Sequence, residues 1–207
     1  MKFIRRYSLQ IYSVILILLL GLSAMFVTPD LVQQLALAFA VIALLHEWEE
    51  DVYPGGFFDI LFGNVIGIDP VPSHEQQRMG CIFPNSICLV MVLIAYFGHA
   101  QAWLLTPIMW LGIIEGFGHG LMIPTFIKSH GYNPGKVTGL LFAVLGWFTF
   151  VFMLINGMAA WWQYVAGLLI TLALLVFMQQ GGMRMIGIKP TDMPKMMKAR
   201  LAEIRSK

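Results

Sequence analysis

The sequence predicts an all-α integral membrane protein with about six transmembrane helices in one bundle, and three observations carry that reading. Of 207 residues, 58% are hydrophobic and only 12% are charged, where a soluble domain carries roughly 25% charged residues. Mean hydropathy is +0.76. The apolar residues are also gathered into runs that approach the ~20 residues an α-helix needs to cross a bilayer, with charges and turn formers confined between them. The runs follow one another without an internal repeat, so residues 1–207 form a single polytopic domain.

Taken in order, Lys2, Arg5 and Arg6 precede the apolar run Ile11 to Val27. A cleaved signal peptide would want a small residue where Leu22 stands in Leu22-Ser23-Ala24, so a retained first helix is expected. Thr28-Pro29-Asp30 makes a turn, and a second helix runs from Leu31 to Glu50. Pro54-Gly55-Gly56 breaks it. Phe57 to Ile68, which contains Asp59 and Asn64, is too short to span and is expected to be interfacial or re-entrant. After the loop Asp69 to Pro72 and a polar stretch over Ser73 to Arg78, a third helix is expected from Cys81 to Trp103. A fourth covers Leu105 to Ile127. The fifth covers Pro134 to Ile155, with Asn133 as its N-cap and Pro134 at the first helical position. The sixth covers Ala159 to Met178, with Trp161, Trp162 and Tyr164 as an aromatic belt. In the basic tail, residues 180–207, Met193, Met196, Met197, Leu201 and Ile204 recur at helical spacing against Lys195, Lys198, Arg200 and Arg205. That pattern predicts an amphipathic helix lying on anionic lipid headgroups.

Charge sets the expected topology. With the N-terminus inside, all 13 Lys and Arg fall on cytoplasmic segments, and Asp30 is the only charged residue of the outer loops. Both termini are then cytoplasmic, and the second helix ends at the cytoplasmic interface. Cys81 and Cys88 lie on one helix face and are expected to be free thiols, with no CxxC pair to suggest a cysteine zinc site. There is no basic face with interleaved aromatics, so nucleic acid is not an expected partner.

The chemistry gathers at two places. In His46-Glu47-Trp48-Glu49-Glu50, residues 46, 49 and 50 stand at i, i+3 and i+4 and share a helix face about 100° wide. Ionisable groups at the mouth of an apolar helix are costly and mark function. On the fourth helix, Glu115 and His119 stand at i, i+4, with Glu115 near mid-span, where an unpaired carboxylate would cost several kcal/mol. It needs a partner. Gly112, Gly116 and Gly120 run beside that face and permit a close helix neighbour. The fourth helix runs from outside to inside, which brings His119 within reach of His46, so the two pairs are expected to converge in one intramembrane pocket. His99 falls at the opposite end. His74 and His130 lie on loops of the same side as the pocket.

Three segments in order, His46-Glu47-Trp48-Glu49-Glu50, then Glu115-xxx-His119, then Tyr132-Asn133-Pro134-Gly135-Lys136-Val137-Thr138, resemble a family of bacterial integral membrane proteins of uncharacterised function named for an HXXEE motif. The resemblance covers residues 31–145. It differs in two places: Glu115 stands where His or Asn is expected, and His130-Gly131 replaces a basic pair. The resemblance implies a membrane-embedded, metal-dependent enzyme in the bacterial inner membrane.

The expected centre is a divalent metal held by His46, Glu50, Glu115 and His119 with Glu49 as a further ligand, and with Glu49 and Glu50 as catalytic carboxylates. Asn85, His130 and Tyr132 are expected to support these groups by hydrogen bonds. Mixed imidazole and carboxylate ligation suits zinc with an open position, and also iron or manganese. Such a site would make the protein a hydrolase for a lipid-like or membrane-associated substrate at the cytoplasmic face. His46-Glu47-xx-Glu50 also mimics a zincin HExxH with Glu47 as base. Two alternatives use the same residues: a metal- or proton-binding transporter, and a metal-free protease resembling the glutamate-type intramembrane CAAX proteases, although Pro54 stands where those place an arginine.

Overall fold

The computed structural model describes residues 2–127 and 131–206; Lys128 and His130 lie outside the described residues. Six helices are long and apolar enough to cross a membrane, and no strand occurs among the described residues. The expected all-α membrane bundle is therefore observed. Helix α1 covers Lys2–Phe26 and α2 covers Leu31–Asp51. Asp30 caps α2, its carboxylate accepting from the Gln33 amide at 2.9 Å while the Gln33 side chain accepts from the Asp30 amide at 3.1 Å. His99 closes over the same cap, with its Nδ1 2.5 Å from Asp30.

The segment expected to be interfacial or re-entrant is helical and short: α3, Phe57–Asp59, passes directly into π-helical turns over Ile60–Ile66. Helix α4 covers His74–Phe97 and starts seven residues before the expected third helix. The polar run read as a loop is its first turn, with Ser73 donating its amide to the Gln76 side chain at 2.9 Å. Four residues of 3-10 helix, Ala102–Leu105, lead into α5, Thr106–Phe117. A π turn over Gly118–Met122 then joins α5 to α6, Ile123–Ile127, within one span.

Helix α7 covers Lys136–Ile155. Its N-cap is Gly135, with φ at 84°, and not the expected Asn133. The Asn133 side chain, fully buried, is committed elsewhere. Helix α8 covers Trp161–Met185, longer than expected because Gln179 to Arg184 continue the helix. Helix α9 covers Met193–Ser206.

The main core lies between α2, α4, α5 and α7, around the fully buried Phe39, Ile108, Met109 and Phe142. In a bilayer no hydrophobic force draws helices together, so close approach and dispersion must do so. The glycine row supplies that approach. A Cβ built on Gly116 would lie 2.3 Å from the Ala143 Cβ on α7, and one on Gly112 would lie 2.7 Å from the Phe142 carbonyl oxygen. The close neighbour expected for that row is α7. The outward faces of α7 and α8 are apolar, with Val144, Phe148 and Leu169 exposed as lipid-facing side chains would be.

The apolar face of α9 is partly buried against the protein itself. Met193 and Met196 pack beside Phe62 and Ile66, and Met197, Leu201 and Ile204 beside Phe57, Val65 and Phe126. Arg200 donates to the Asn64 carbonyl at 3.0 Å, satisfying an acceptor of the π-helical turns. Cys81 and Cys88 are free thiols, as expected.

Two outcomes follow from this packing. Gly116→Val forces the α5–α7 contact apart and lowers stability by roughly 1–3 kcal/mol, read as a drop in unfolding temperature in detergent; an unchanged temperature would contradict the contact. The Gln33 amide, together with His99, holds the Asp30 carboxyl below its ordinary 3.8. Its stabilisation is thus present above the ordinary value and is lost as pH falls through the depressed one. Unfolding temperatures of wild type and Asp30→Asn should differ at pH 6 and converge as the pH is lowered through the depressed value.

Candidate metal centre

The last turn of α2 carries His46 and Glu50 one turn apart, and the end of α5 carries Glu115 with His119 just inside the π turn. Their side chains meet. His119 Nε2 lies 2.9 Å and His46 Nε2 3.5 Å from Glu50 Oε1, and Glu115 Oε2 lies 3.8 Å from both ring nitrogens. The two imidazoles stand perpendicular with centroids 4.8 Å apart. His46, Glu50 and His119 are buried, and Glu115 is 29% exposed. One ligand atom each from His46, Glu115 and His119 falls within 4.8 Å of the others.

Hydrogen bonds fix how the imidazoles point. Asn133 donates its Nδ2 to the His119 carbonyl at 3.1 Å, which turns its Oδ1 to His119 Nδ1 at 3.2 Å. An amide oxygen only accepts, so Nδ1 carries the proton. On the other ring, the Thr138 hydroxyl donates to Glu49 Oε2 and so presents a lone pair to His46 Nδ1, 3.0 Å away. That nitrogen too is the donor. Both rings therefore turn Nε2 toward Glu50 and Glu115, with the other nitrogen held from behind, as metal-binding histidines are.

This arrangement leaves acceptors facing acceptors. A ring nitrogen with its proton on the far side and a carboxylate oxygen do not rest 2.9 Å apart without positive charge between or beside them. Either a proton shared between Nε2 and the carboxyl, or a cation, meets the need. Bonds of ~2.0–2.2 Å in tetrahedral arrangement place ligand atoms roughly 3.3–3.6 Å apart. The imidazole–carboxylate distances run from 2.9 to 3.8 Å, while the three ligand atoms of His46, Glu115 and His119 spread to 4.8 Å, so an ion would draw the two imidazoles closer. Two imidazole nitrogens and two carboxylate oxygens form a donor set that can hold a divalent ion.

Glu49 does not join them. Its Oε1 accepts from Tyr132 at 2.8 Å and from the Val137 amide at 3.2 Å, and its Oε2 accepts from the Thr138 amide at 2.8 Å and from the Thr138 hydroxyl. The adjacent glutamates thus face different ways, Glu50 into the centre and Glu49 onto the first turn of α7, where free amides and the helix dipole favour an anion. Tyr132 serves as a support, as expected. Burial pushes its phenol up, and the neighbouring Glu49 carboxylate adds to this, so it remains a donor.

Asn85 supports a different carboxylate from those expected. With its carboxamide nitrogen turned toward Glu47, it donates to both oxygens at 2.8 and 2.9 Å. His74 lies 3.6 Å from Asp51 and His99 sits at Asp30, so neither reaches the centre. His130 lies outside the described residues. Asn133, Gly135 and Thr138 are the functional positions that sequence reasoning missed. The Tyr132 to Thr138 segment stood out as a helix start, and nothing in its spacing showed that it wraps the ligands. Gly135 lies against them: a Cβ there would fall 2.5 Å from His119 Cε1 and 2.9 Å from Glu50 Oε1.

Beside the centre lies a cavity of about 370 Å³. His46, Glu47, Glu50, Glu115 and His119 form one part of its wall, and most of the remainder is apolar, including Leu16, Val92 and Leu111.

A family described as a protein of unknown function with HXXEE motif matches the chain over residues 36–150, which include all three segments. No curated protein and no solved structure matches the chain.

Gly135→Ala tests the packed loop. Its positive φ costs an L-residue roughly 1–2 kcal/mol, and the added methyl meets His119 and Glu50 as well. The variant should unfold at a distinctly lower temperature than wild type. Equal stability would mean that the loop stands off the centre.

Proposed function

The chain belongs to the HXXEE-motif family, whose function is unknown, and we propose that this member is a membrane-embedded, metal-dependent hydrolase acting on a lipid-like substrate at the cytoplasmic face. The observation that carries the reading is the pair of imidazoles, each with Nδ1 held as a donor, that turn Nε2 toward two carboxylates at one end of an apolar cavity.

In this reading His46, His119 and Glu115 would be the ligands, and Glu50, buried with its Oε1 2.9 Å from His119 Nε2, stands beside them. Zinc fits two nitrogens and one or two oxygens with a remaining position; iron or manganese accepts the same donors. A divalent ion bound there supplies Lewis acidity toward a carbonyl or phosphoryl oxygen and toward water. The protein's own groups do the rest. Thr138 and Asn133 keep the imidazoles in the tautomer that ligates. Glu115, partly exposed to the cavity, closes the ligand set where substrate arrives. Glu50 Oε1 takes the proton as water oxygen adds to the scissile carbon or phosphorus, and returns it to the leaving group as that bond breaks. Glu49 acts through Thr138 as a positioning residue.

Metal analysis of the detergent-purified chain, expressed with zinc, iron and manganese supplied, should find about one divalent ion per chain. His46→Ala and His119→Ala should lose it, and Thr138→Val should weaken affinity roughly 10–100-fold, with Thr138→Ser restoring most of it. Absence of metal from the wild type overturns the proposal. Movement of metal across proteoliposomes that depends on His46 would assign the site to transport instead.

A further inference from the structure

The cavity beside the centre extends along two helices. It is lined along α2 from Ala40 to Glu50, about 15 Å at 1.5 Å per residue. Along α4 the lining extends from Gln77 to Val92, about 22 Å by the same rise. Its polar groups gather toward the Glu50 end, around the two imidazoles and Glu47. At the other end Leu16, Ala40, Val92 and Leu111 offer no hydrogen-bonding side chain. At about 30 Å³ per heavy atom, the share water takes in the liquid, a volume of about 370 Å³ takes about a dozen chain atoms. That volume holds one unbranched polymethylene chain and not two. Phe117 and Met122, both exposed, line the same cavity close to the His119 turn.

We propose that this cavity is a slot for a single straight acyl chain, which lays the ester or amide carbonyl at its head against the His46–Glu115–His119 centre. The inference rests on the hydrolase reading and deepens it by naming the substrate class. The geometry matches how an amphiphile lies in a bilayer, with its head near the interface at the Glu50 end and its tail toward the membrane interior. A chain entering past Phe117 and Met122 exchanges one apolar environment for another, so hydrophobic transfer contributes little. Selection falls to shape: the slot accepts one chain up to the depth of Leu16 and Val92, and excludes two-chain lipids because the second chain has no place. Ala43 and Cys88 line the slot part-way along, where a larger side chain would shorten it.

The probe is palmitic acid carrying a mid-chain diazirine, the product such a hydrolysis would release, added to the full-length chain in phosphatidylcholine nanodiscs and photolysed. Adducts should map to the slot-lining segments of α2 and α4, and unlabelled palmitic acid should compete them away while octanoic acid and two-chain phosphatidic acid do not. Ala43→Phe and Cys88→Phe should each reduce the adduct at least fivefold. Adducts confined to outward residues such as Val144 and Leu169, or equal competition by phosphatidic acid, would overturn the slot, and the wild-type competition series decides this even where a variant fails to fold. Metal content measured on the same samples separates the two ideas. Metal without slot adducts removes the acyl-chain inference alone, and slot adducts without metal remove the hydrolase reading alone.

Discussion

A carboxylate held against the start of a helix organises this molecule. Glu49 receives two backbone amides and a hydroxyl from the first turn of α7 and a phenol from Tyr132. A helix start carries free N–H groups and partial positive charge, and a carboxylate is the best-matched side chain for it. Because the same turn carries Thr138, docking it on Glu49 also delivers a hydroxyl to His46. Because the loop before it carries Asn133, docking also delivers an amide to His119. One interaction between α2 and α7 thereby sets the tautomer and direction of two imidazoles on separate spans.

The close packing of α5 on α7 is the second requirement. Gly112 and Gly116 bring the two backbones together, so the loop before α7 can reach the π turn that holds His119. Gly135 then carries no side chain where His119 and Glu50 pass. In water, buried imidazoles and carboxylates at a loose centre would be hydrated. Within a span each must find a protein partner or an ion; here α7 and its loop match the Nδ1 of each imidazole, and the two Nε2 atoms are left to Glu50 and Glu115.

The spans were legible because membrane helices announce themselves by length and apolarity, and the pairing of His46 with His119 was legible because charge placed both at the same end of the bundle. The parts that were not legible share a physical cause. Residues at i+3 and i+4 lie on one broad face, so periodicity could not tell that Glu50 turns to the centre while Glu49 turns to α7. Asn133 before Pro134 reads as an N-cap from local sequence, but a buried His119 offered its side chain a stronger pair of bonds. The amphipathic face of α9 was visible as a pattern. Whether lipid or protein covers such a face is decided by what lies opposite, and here Phe57, Phe62 and Val65 lie opposite.

The π turn at Gly118–Met122 gives the span that contains it two loyalties. Each residue of an α-helix advances the side chains by about 100°, and a π turn inserts one extra residue into that count. Upstream, Gly112 and Gly116 address α7; downstream, Ile123 and Phe126 address Phe57 and Val65 of the short apolar segment after α2. In an uninterrupted α-helix the downstream pair would be rotated away from that partner. The register shift lets one continuous span serve as a wall of the bundle along half its length and as a seat for that short segment along the other. His119 stands at the seam between the two halves.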